Sequence, residues 1–177
     1  MKFALPALAL LLVLTGCTTE APAAPSTPDP TESATAGAPA DPGSLLPATL
    51  TVITGETAQA EGTRVADGLQ ALIEGVVYTD DKSALVPPDP NSDAASFYAV
   101  YRTITLENGV DPLVMGAQLT SVLEQSGWSI YETTNENGTY LSALSSGDSG
   151  WFALVGGDAT VDGQPVVTFQ IASPDIQ

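Results

Sequence analysis

Residues 111–145 read DPLVMGAQLTSVLEQSGWSIYETTNENGTYLSALS, and this stretch carries the clearest structural signals in the chain. Asp111 can cap the N-terminus of a helix, Pro112 suits the first helical position, and Gly127 suits the residue after the helix end. Apolar residues at helical spacing predict one buried helix face, formed by Met115, Leu119, Val122 and Leu123. The stretch therefore predicts a helix that is followed by strands.

The residues after this helix predict a hairpin. Strands are expected at 128–134 and 139–145, because Asn137-Gly138 between them favours the positive φ angles of a two-residue type I′ turn. With that turn, Tyr131 and Tyr140 are expected on one face of the hairpin, together with Thr133, Ser142 and Leu144.

A second hairpin is predicted at 151–155 and 166–172, with a turn at Asp162-Gly163. In its last strand, alternation predicts that one face is buried, formed by Val167, Phe169 and Ile171 between Val166, Thr168 and Gln170. A two-residue turn would add Phe152 and Leu154 to the same buried face.

The first half of the chain predicts three further elements. Leu50 to Ile53 is a short strand candidate, and Phe97 to Leu106 is a strand rich in aromatic and β-branched residues. A helix that ends near Gly75 is indicated by apolar residues on one face, namely Val65, Leu69, Leu72, Ile73 and Val76. Residues 80–90 are expected to form a loop.

Together these elements predict an α+β fold in which two helices pack on a mostly antiparallel sheet as a two-layer sandwich. The C-terminal half is expected to be a β-meander. Residues 48–177 are expected to form a single globular domain, because a chain of this length suits one hydrophobic core.

The N-terminus has the pattern of an export signal. Met1-Lys2 supplies a positive charge, Phe3 to Val13 is apolar, and Leu14-Thr15-Gly16-Cys17 follows. The apolar run is shorter than the roughly 20 residues that span a bilayer. Leu14-Thr15-Gly16-Cys17 resembles the lipobox of bacterial lipoproteins. This resemblance implies that residues 1–16 are a cleaved signal peptide, and that diacylglycerol on the Cys17 sulfur anchors the protein to the extracytoplasmic side of the membrane.

Residues 17–47 are predicted to be a disordered tether that begins at the lipidated Cys17. The segment is rich in proline, alanine and threonine, and it cannot bury enough apolar surface to offset chain entropy. With this tether, Ser126-Gly127-Trp128, Trp151-Phe152 and Gln164-Pro165-Val166-Val167 make the chain similar to small uncharacterised lipoproteins of actinobacteria. Several of those end in Ser-Pro-Cys, where this chain has Ser173-Pro174-Asp175. The resemblance implies a compartment and an architecture, and no particular activity.

Charge and residue types exclude several classes of function. The chain has 21 acidic and 4 basic residues, so nucleic acids and anionic headgroups are not expected as direct partners. It has no histidine, and its only cysteine is the one that lipidation would use. Disulfides, thiol catalysis and cysteine metal sites are therefore not expected, and we predict no cofactor and no metal centre.

Two short motifs resemble known functional motifs, one catalytic and one calcium-binding. Gly147-Asp148-Ser149-Gly150 resembles the nucleophile segment of chymotrypsin-like proteases, but without histidine a hairpin turn is the preferred interpretation. Residues 89–93 match the first half of a calcium loop and lack the second half. An irregular calcium site remains open as an alternative, with oxygen ligands from Asp80, Asp81, Asp89 or Asp93.

Aromatic residues in the predicted hairpins suggest a binding face, formed by Trp128, Tyr131, Tyr140 and Trp151. The other interpretation is that these rings cover the core. We predict a non-enzymatic binding or interaction module at the cell envelope, whose partner is an envelope protein, a peptide or a glycan. The alternatives are an anchored hydrolase that uses paired carboxylates and a spacer with no specific ligand.

Overall fold

Two helices and seven strands make up the part of the chain that the computed structural model describes, residues 44–88, 95–161 and 163–177. The helices are α1 (Gly55–Gln70) and α2 (Pro112–Gln125), and a short 3₁₀ turn covers Gly147–Ser149. The strands are β1 (Val76–Asp81), β2 (Ala84–Val86), β3 (Phe97–Leu106), β4 (Ser129–Glu136), β5 (Thr139–Ser145), β6 (Phe152–Asp158) and β7 (Val166–Ala172).

The strands form one antiparallel sheet. Their order is β1-β3-β7-β6-β5-β4, and β2 pairs with β3 on the same side as β1. Strands β4 to β7 are consecutive neighbours, as the predicted β-meander requires. Helix α1 packs on β3 and β7, helix α2 packs on β5, β6 and β7, and both helices lie on the same face of the sheet. The fold is therefore the two-layer α+β sandwich that the sequence predicts.

Helix α2 is confirmed at both ends. The Asp111 carboxylate accepts hydrogen bonds from the Leu113 and Val114 backbone N–H groups at 2.9 and 3.3 Å. After the helix, Gly127 takes a φ of +102°. Of the apolar side chains predicted for its inner face, three are buried, namely Met115, Leu119 and Leu123. The fourth, Val122, is only partly buried.

Helix α1 differs from the prediction at both ends. The Thr54 hydroxyl accepts a hydrogen bond from the Thr57 N–H at 3.2 Å, and the Thr57 hydroxyl accepts one from the Thr54 N–H at 2.9 Å. This reciprocal cap starts the helix earlier than the apolar spacing suggests. Leu72 and Val76 lie beyond its end and are 45% and 38% exposed, because the chain turns at Gly75, with a φ of +68°, to begin β1.

Strand prediction fails at two places in the first half of the chain. Leu50–Ile53 forms no strand; these residues lead into α1, and the Ile53 carbonyl accepts a hydrogen bond from the Gln177 N–H at 3.1 Å. The loop predicted at 80–90 is wrong in its first part, where β1 ends and β2 forms. Both strands pair with β3, so their formation depends on a partner that local sequence does not reveal.

The β4–β5 hairpin has the predicted two-residue turn. Asn137 and Gly138 have φ angles of +52° and +80°, and Glu136 pairs with Thr139 across the turn. Positive φ at both central residues is the signature of a type I′ turn, which matches the twist of the two strands.

A β-bulge in β4 moves Tyr131 to the face of the sheet opposite the helices. The pairing register shifts between Ile130 and Glu132, and the Tyr131 ring lies beside Phe152, with ring centroids 5.7 Å apart. Tyr140 is buried on the helix side, so the predicted shared face of Tyr131 and Tyr140 is wrong. One inserted residue has this effect because side chains alternate between faces along a strand.

The β6–β7 register differs by one residue from the predicted one. Ala153 faces the helices, together with the buried side chains of β7, whereas Phe152 and Leu154 lie on the opposite face. The prediction that Phe152 and Leu154 are buried with the inward side chains of β7 is wrong. The connection between β6 and β7 runs from residue 159 to residue 165, which is longer than a two-residue turn. Asp162, in the predicted turn, lies outside the described residues. The alternation predicted for β7 itself is confirmed, and its inward side chains are Val167, Phe169 and Ile171.

The last residues of the predicted tether belong to the folded region. Leu45 is 8% exposed, and its carbonyl accepts a hydrogen bond from Trp128 Nε1 at 3.0 Å. Arg64 donates to the carbonyls of Ser44 and Leu46, the latter at 3.0 Å. Residues 44–46 therefore pack with the fold, ahead of the predicted domain start at Ala48, because Arg64 of α1 and Trp128 bind their backbone carbonyls.

Glu61 connects the same segment to α1. Its Oε1 accepts hydrogen bonds from Arg64 Nη2 at 2.8 Å and from the Ala48 N–H at 2.6 Å. Burial raises the pKa of Glu61, but the hydrogen bonds from Arg64 and Ala48 outweigh burial and hold the pKa below its ordinary value. A carboxyl with a lowered folded-state pKa stabilises the fold above its unfolded pKa, and this stabilisation is lost as the pH falls through the folded value.

Glu61→Gln is therefore expected to lower the free energy of unfolding by about 1 kcal/mol at neutral pH and to flatten its decline below about pH 4.5. Urea titrations of both proteins at neutral pH and at about pH 4 and pH 3 measure the two effects. Glu124→Gln, at an exposed position of α2, is the control and should leave the pH dependence unchanged. An equally steep acid loss in wild type and Glu61→Gln would contradict the assignment.

Candidate functional site

One face of the sheet is covered by α1 and α2, and no helix or strand among the described residues packs on the other. We call this second surface the open face. Threonine, glutamine, aromatic and small apolar side chains reach it, because strand side chains alternate between the two faces. Its central members are Tyr101, Thr103, Thr168, Gln170, Phe152, Leu154, Leu141 and Ala143.

The part of the open face nearest β4 is its more apolar end. Tyr131 is 62% exposed and lies against Phe152, and Leu141 is 47% exposed. A shallow cavity of about 170 Å³, which we call the Tyr131 cavity, is lined by Tyr131, Glu132, Thr134, Leu141, Ala143 and Leu154. Exposed apolar side chains that gather in one place, next to polar ones, are typical of contact sites for other molecules.

The opposite end of the open face, at β1, carries tyrosine and a charge pair. Tyr78 is 62% exposed, and Lys82 Nζ lies 2.9 Å from Asp80 Oδ2. The hydrogen bond to the Asp80 carboxylate raises the pKa of Lys82 above its ordinary value. Lys82 therefore stays protonated and neutralises Asp80.

Three of the four aromatic residues predicted as a binding face are buried. Trp128, Tyr140 and Trp151 are 2%, 7% and 1% exposed, while Tyr131 is 62% exposed. Trp151 packs under α1 and Tyr140 packs under α2. The four rings therefore do not form one exposed face, because three of them gain more from covering the core between the helices and the sheet.

Asp67 and Asp81 are brought together by Arg102, whose side chain is 9% exposed. Arg102 Nη2 lies 2.7 Å from Asp67 Oδ1, and its Nε lies 3.0 Å from Asp81 Oδ2. Burial raises the pKa of Asp81, but hydrogen bonds from Ser83 and Arg102 outweigh burial and lower it. A glycosidase acid needs a raised pKa, so Asp81 does not suit that role in the hydrolase alternative.

The acidic residues considered for calcium do not converge where they are described. Asp80 and Asp81 are neighbours on β1 and point to opposite faces, and each is paired with a basic side chain of the chain itself. Asp89 and Asp93 lie outside the described residues. Across residues 44–88, 95–161 and 163–177, no cluster of three or more acidic, histidine or cysteine residues could hold a metal ion.

The segment that resembles a serine-protease nucleophile is the turn between β5 and β6, as preferred from the sequence. Gly147 and Gly150 have φ angles of +61° and +71°, and the hydroxyls of Ser146 and Ser149 contact each other. The Ser146 hydroxyl also accepts a hydrogen bond from the Trp151 N–H at 3.0 Å. These contacts close the turn.

Two side chains of the open face, Phe152 and Leu141, were not predicted as site residues. Phe152 carries no local signal of exposure, and only the β6–β7 register places it beside Tyr131.

Cys17 and the lipobox lie outside the described residues. Neither of the described helices is long and apolar enough to cross a membrane. Among known proteins, neither a family model nor a curated protein matches the chain.

Proposed function

We propose that the chain is a membrane-anchored extracytoplasmic lipoprotein, whose domain is a non-enzymatic binding module for an envelope protein, a peptide or a glycan. The observation that carries the binding role is the apolar end of the open face, where the exposed side chains of Tyr131 and Leu141 line the Tyr131 cavity and the half-buried Phe152 ring lies against Tyr131. The lipobox at residues 14–17 supports the anchor.

The energetics of this surface favour a partner. Full burial of a large apolar side chain contributes about 1.5–3 kcal/mol, and Tyr131 and Leu141 leave much of that unused while they face water. Tyrosine also combines a large contact area with a polar hydroxyl, which makes it a frequent contact residue in interfaces. A partner that covers Tyr131 and fills the cavity gains the burial of apolar surface and a contact with the tyrosine hydroxyl.

The anchor and tether would place this surface within reach of the envelope. Residues 18–43, ahead of the segment that packs on the fold, would extend roughly 80 Å as a polyproline-like chain, and a doubly acylated cysteine holds a protein stably in a bilayer. The acidic domain is repelled by anionic headgroups. The open face would therefore meet its partner away from the membrane surface.

Site-specific photo-crosslinking in the native host tests the binding role with the full-length protein. A photo-reactive residue in place of Leu141 is expected to give a discrete adduct, whereas the same residue in place of Val114, 51% exposed on α2, should give none. Tyr131→Ala should reduce the Leu141 adduct by about tenfold, the effect expected at the centre of an interface. Equal adducts at both positions, or none at Leu141, would contradict the binding role.

The anchor is tested in the same cells. Cys17→Ala is expected to move the protein from the membrane pellet to the soluble fraction and to abolish incorporation of labelled palmitate, since the sulfur is the attachment point. Thr18→Ala is the matched control and should stay in the pellet with its label. A Cys17→Ala protein that still carries the label would contradict the assignment.

A further inference from the structure

Strand β4 forms an edge of the sheet, beside the Tyr131 cavity. Among the described strands it pairs with β5 alone, and all eight of its residues, Ser129–Glu136, are exposed. An edge strand presents a row of backbone N–H and C=O groups to which an extended chain can add.

The backbone groups that face outward belong to Thr133 and Asn135. Glu136 and Thr139 flank the two-residue turn, so they form a hydrogen-bonded pair. Hydrogen-bonded and non-hydrogen-bonded pairs alternate along antiparallel strands. Thr133 and Asn135 are therefore in non-hydrogen-bonded pairs, and their N–H and C=O groups point away from β5. The close approach of Thr133 Oγ1 to Ser142 Oγ, 3.0 Å, fits such a pair.

Carboxylates follow this edge, and no described basic residue neutralises them. Glu132 and Glu136 lie on the open-face side of β4, and Asp158 lies in the same cross-strand row as Glu136. The basic residues of the described region are each paired with other acids, namely Arg64 with Glu61, Lys82 with Asp80, and Arg102 with Asp67 and Asp81. A strand that adds here gains stability if it carries positive charge.

A second copy of the chain fits this edge poorly. A copy of β4 would bring Glu132 and Glu136 against the same carboxylates, and each copy has a net charge of −17. Like charges placed opposite each other on neighbouring strands are destabilising. The charge of the edge therefore favours a different, basic chain.

We propose that β4 binds an extended basic segment of a partner polypeptide, which joins the sheet as an additional strand. Glu132 and Glu136 are four residues apart, so basic residues at positions i and i+4 of the segment would face them, because alternate residues share a face. A large apolar residue at i+2 would lie over Thr134 and reach the Tyr131 cavity. This inference rests on the proposed function, since it names the partner chemistry for the same end of the open face.

Synthetic peptides test the proposal on the full-length protein in detergent. The probe is a fluorescent peptide of about nine residues with lysine at i and i+4 and leucine at i+2, and binding is read by anisotropy. A peptide with glutamate in place of both lysines is expected to bind at least about tenfold more weakly. A lysine peptide that is N-methylated on the residues facing β4 should lose affinity by a similar factor, because it lacks the N–H donors of the added strand.

Variants of the edge provide the complementary test. Asn135→Pro removes an outward N–H group and leaves the hydrogen bonds between β4 and β5 intact. It should lower the affinity for the lysine peptide by about tenfold, while the circular dichroism spectrum stays unchanged. The double variant Glu132→Gln, Glu136→Gln should weaken binding by about fivefold and reduce its salt dependence. Glu124→Gln on α2 is the control and should bind like wild type.

Each outcome decides between edge addition and another mode. Binding that survives both N-methylation and Asn135→Pro overturns the proposal, because it would not use the strand edge. A protein whose sedimentation mass doubles without peptide, and halves with Asn135→Pro, would assign the edge to a second copy. A crosslink at Leu141 without binding of the lysine peptide would leave the proposed function standing and remove this inference alone.

Discussion

Gly157→Ala is expected to lower the free energy of unfolding by about 3 kcal/mol or more. Gly157 lies on β6 where the first turn of α2 rests directly on the strand backbone. A Cβ at this position would overlap the Pro112 carbonyl oxygen and lie 2.6 Å from its carbonyl carbon. Backbone atoms cannot rotate away as a side chain can, so α2 would have to move off the sheet.

Urea unfolding followed by far-UV circular dichroism measures the loss, which is a large part of the 5–15 kcal/mol typical of a domain. Gly55→Ala is the control, because a Cβ at Gly55 meets nothing within 4 Å and alanine suits the start of α1. Gly55→Ala is expected to be neutral or slightly stabilising. A loss below about 1 kcal/mol for Gly157→Ala would show that α2 is not seated on β6 as described.

Phe169→Ala is expected to cost about 3–5 kcal/mol. The Phe169 side chain is 1% exposed on β7, on the face that α1 and α2 cover. Its removal loses the transfer free energy of an aromatic ring and leaves a cavity that helices and sheet cannot close completely. The expected result is a lower urea midpoint with an unchanged dependence of free energy on denaturant.

The adjacent Gln170→Ala is the matched control for Phe169→Ala. Gln170 follows in the same strand and points to the open face, where no described helix or strand packs. Its replacement is expected to change the free energy of unfolding by less than about 1 kcal/mol. Similar losses for both variants would contradict the placement of both described helices on the Phe169 face of the sheet.

Of the four aromatic residues that the sequence suggested as a binding face, Tyr131 is exposed, and the other three cover the core, as the alternative interpretation expected. All four residues are aromatic, and the local sequence does not distinguish the exposed ring of Tyr131 from the buried rings of Trp128, Tyr140 and Trp151. Phe152 was expected on the buried face because a two-residue turn was assumed after β6. The β-bulge in β4 and the longer β6–β7 connection changed the faces of both residues, and neither irregularity has a reliable sequence signature.

The elements that local sequence determined are those whose causes lie within a few residues. Helix α2 follows from the cap at Asp111, the proline after it and the glycine at its end, and the β4–β5 turn follows from Asn137-Gly138. The resemblance of residues 14–17 to a lipobox is also a local pattern, and it alone carries the expectation of a membrane anchor. Alternation in β7 also predicted its buried face, because one side of that strand is uniformly apolar.

Only the tertiary structure decided which surfaces remain uncovered. Strands β1 and β2 form because β3 pairs with them. The open face arises because both described helices pack on the other face of the sheet. Within the described ranges, the exposed edge of β4 and the lack of a basic partner for its carboxylates follow from strand order and from ion pairs formed elsewhere. Pairing order, register and helix placement are set by contacts between residues far apart in the chain, and single-sequence periodicity contains no record of them.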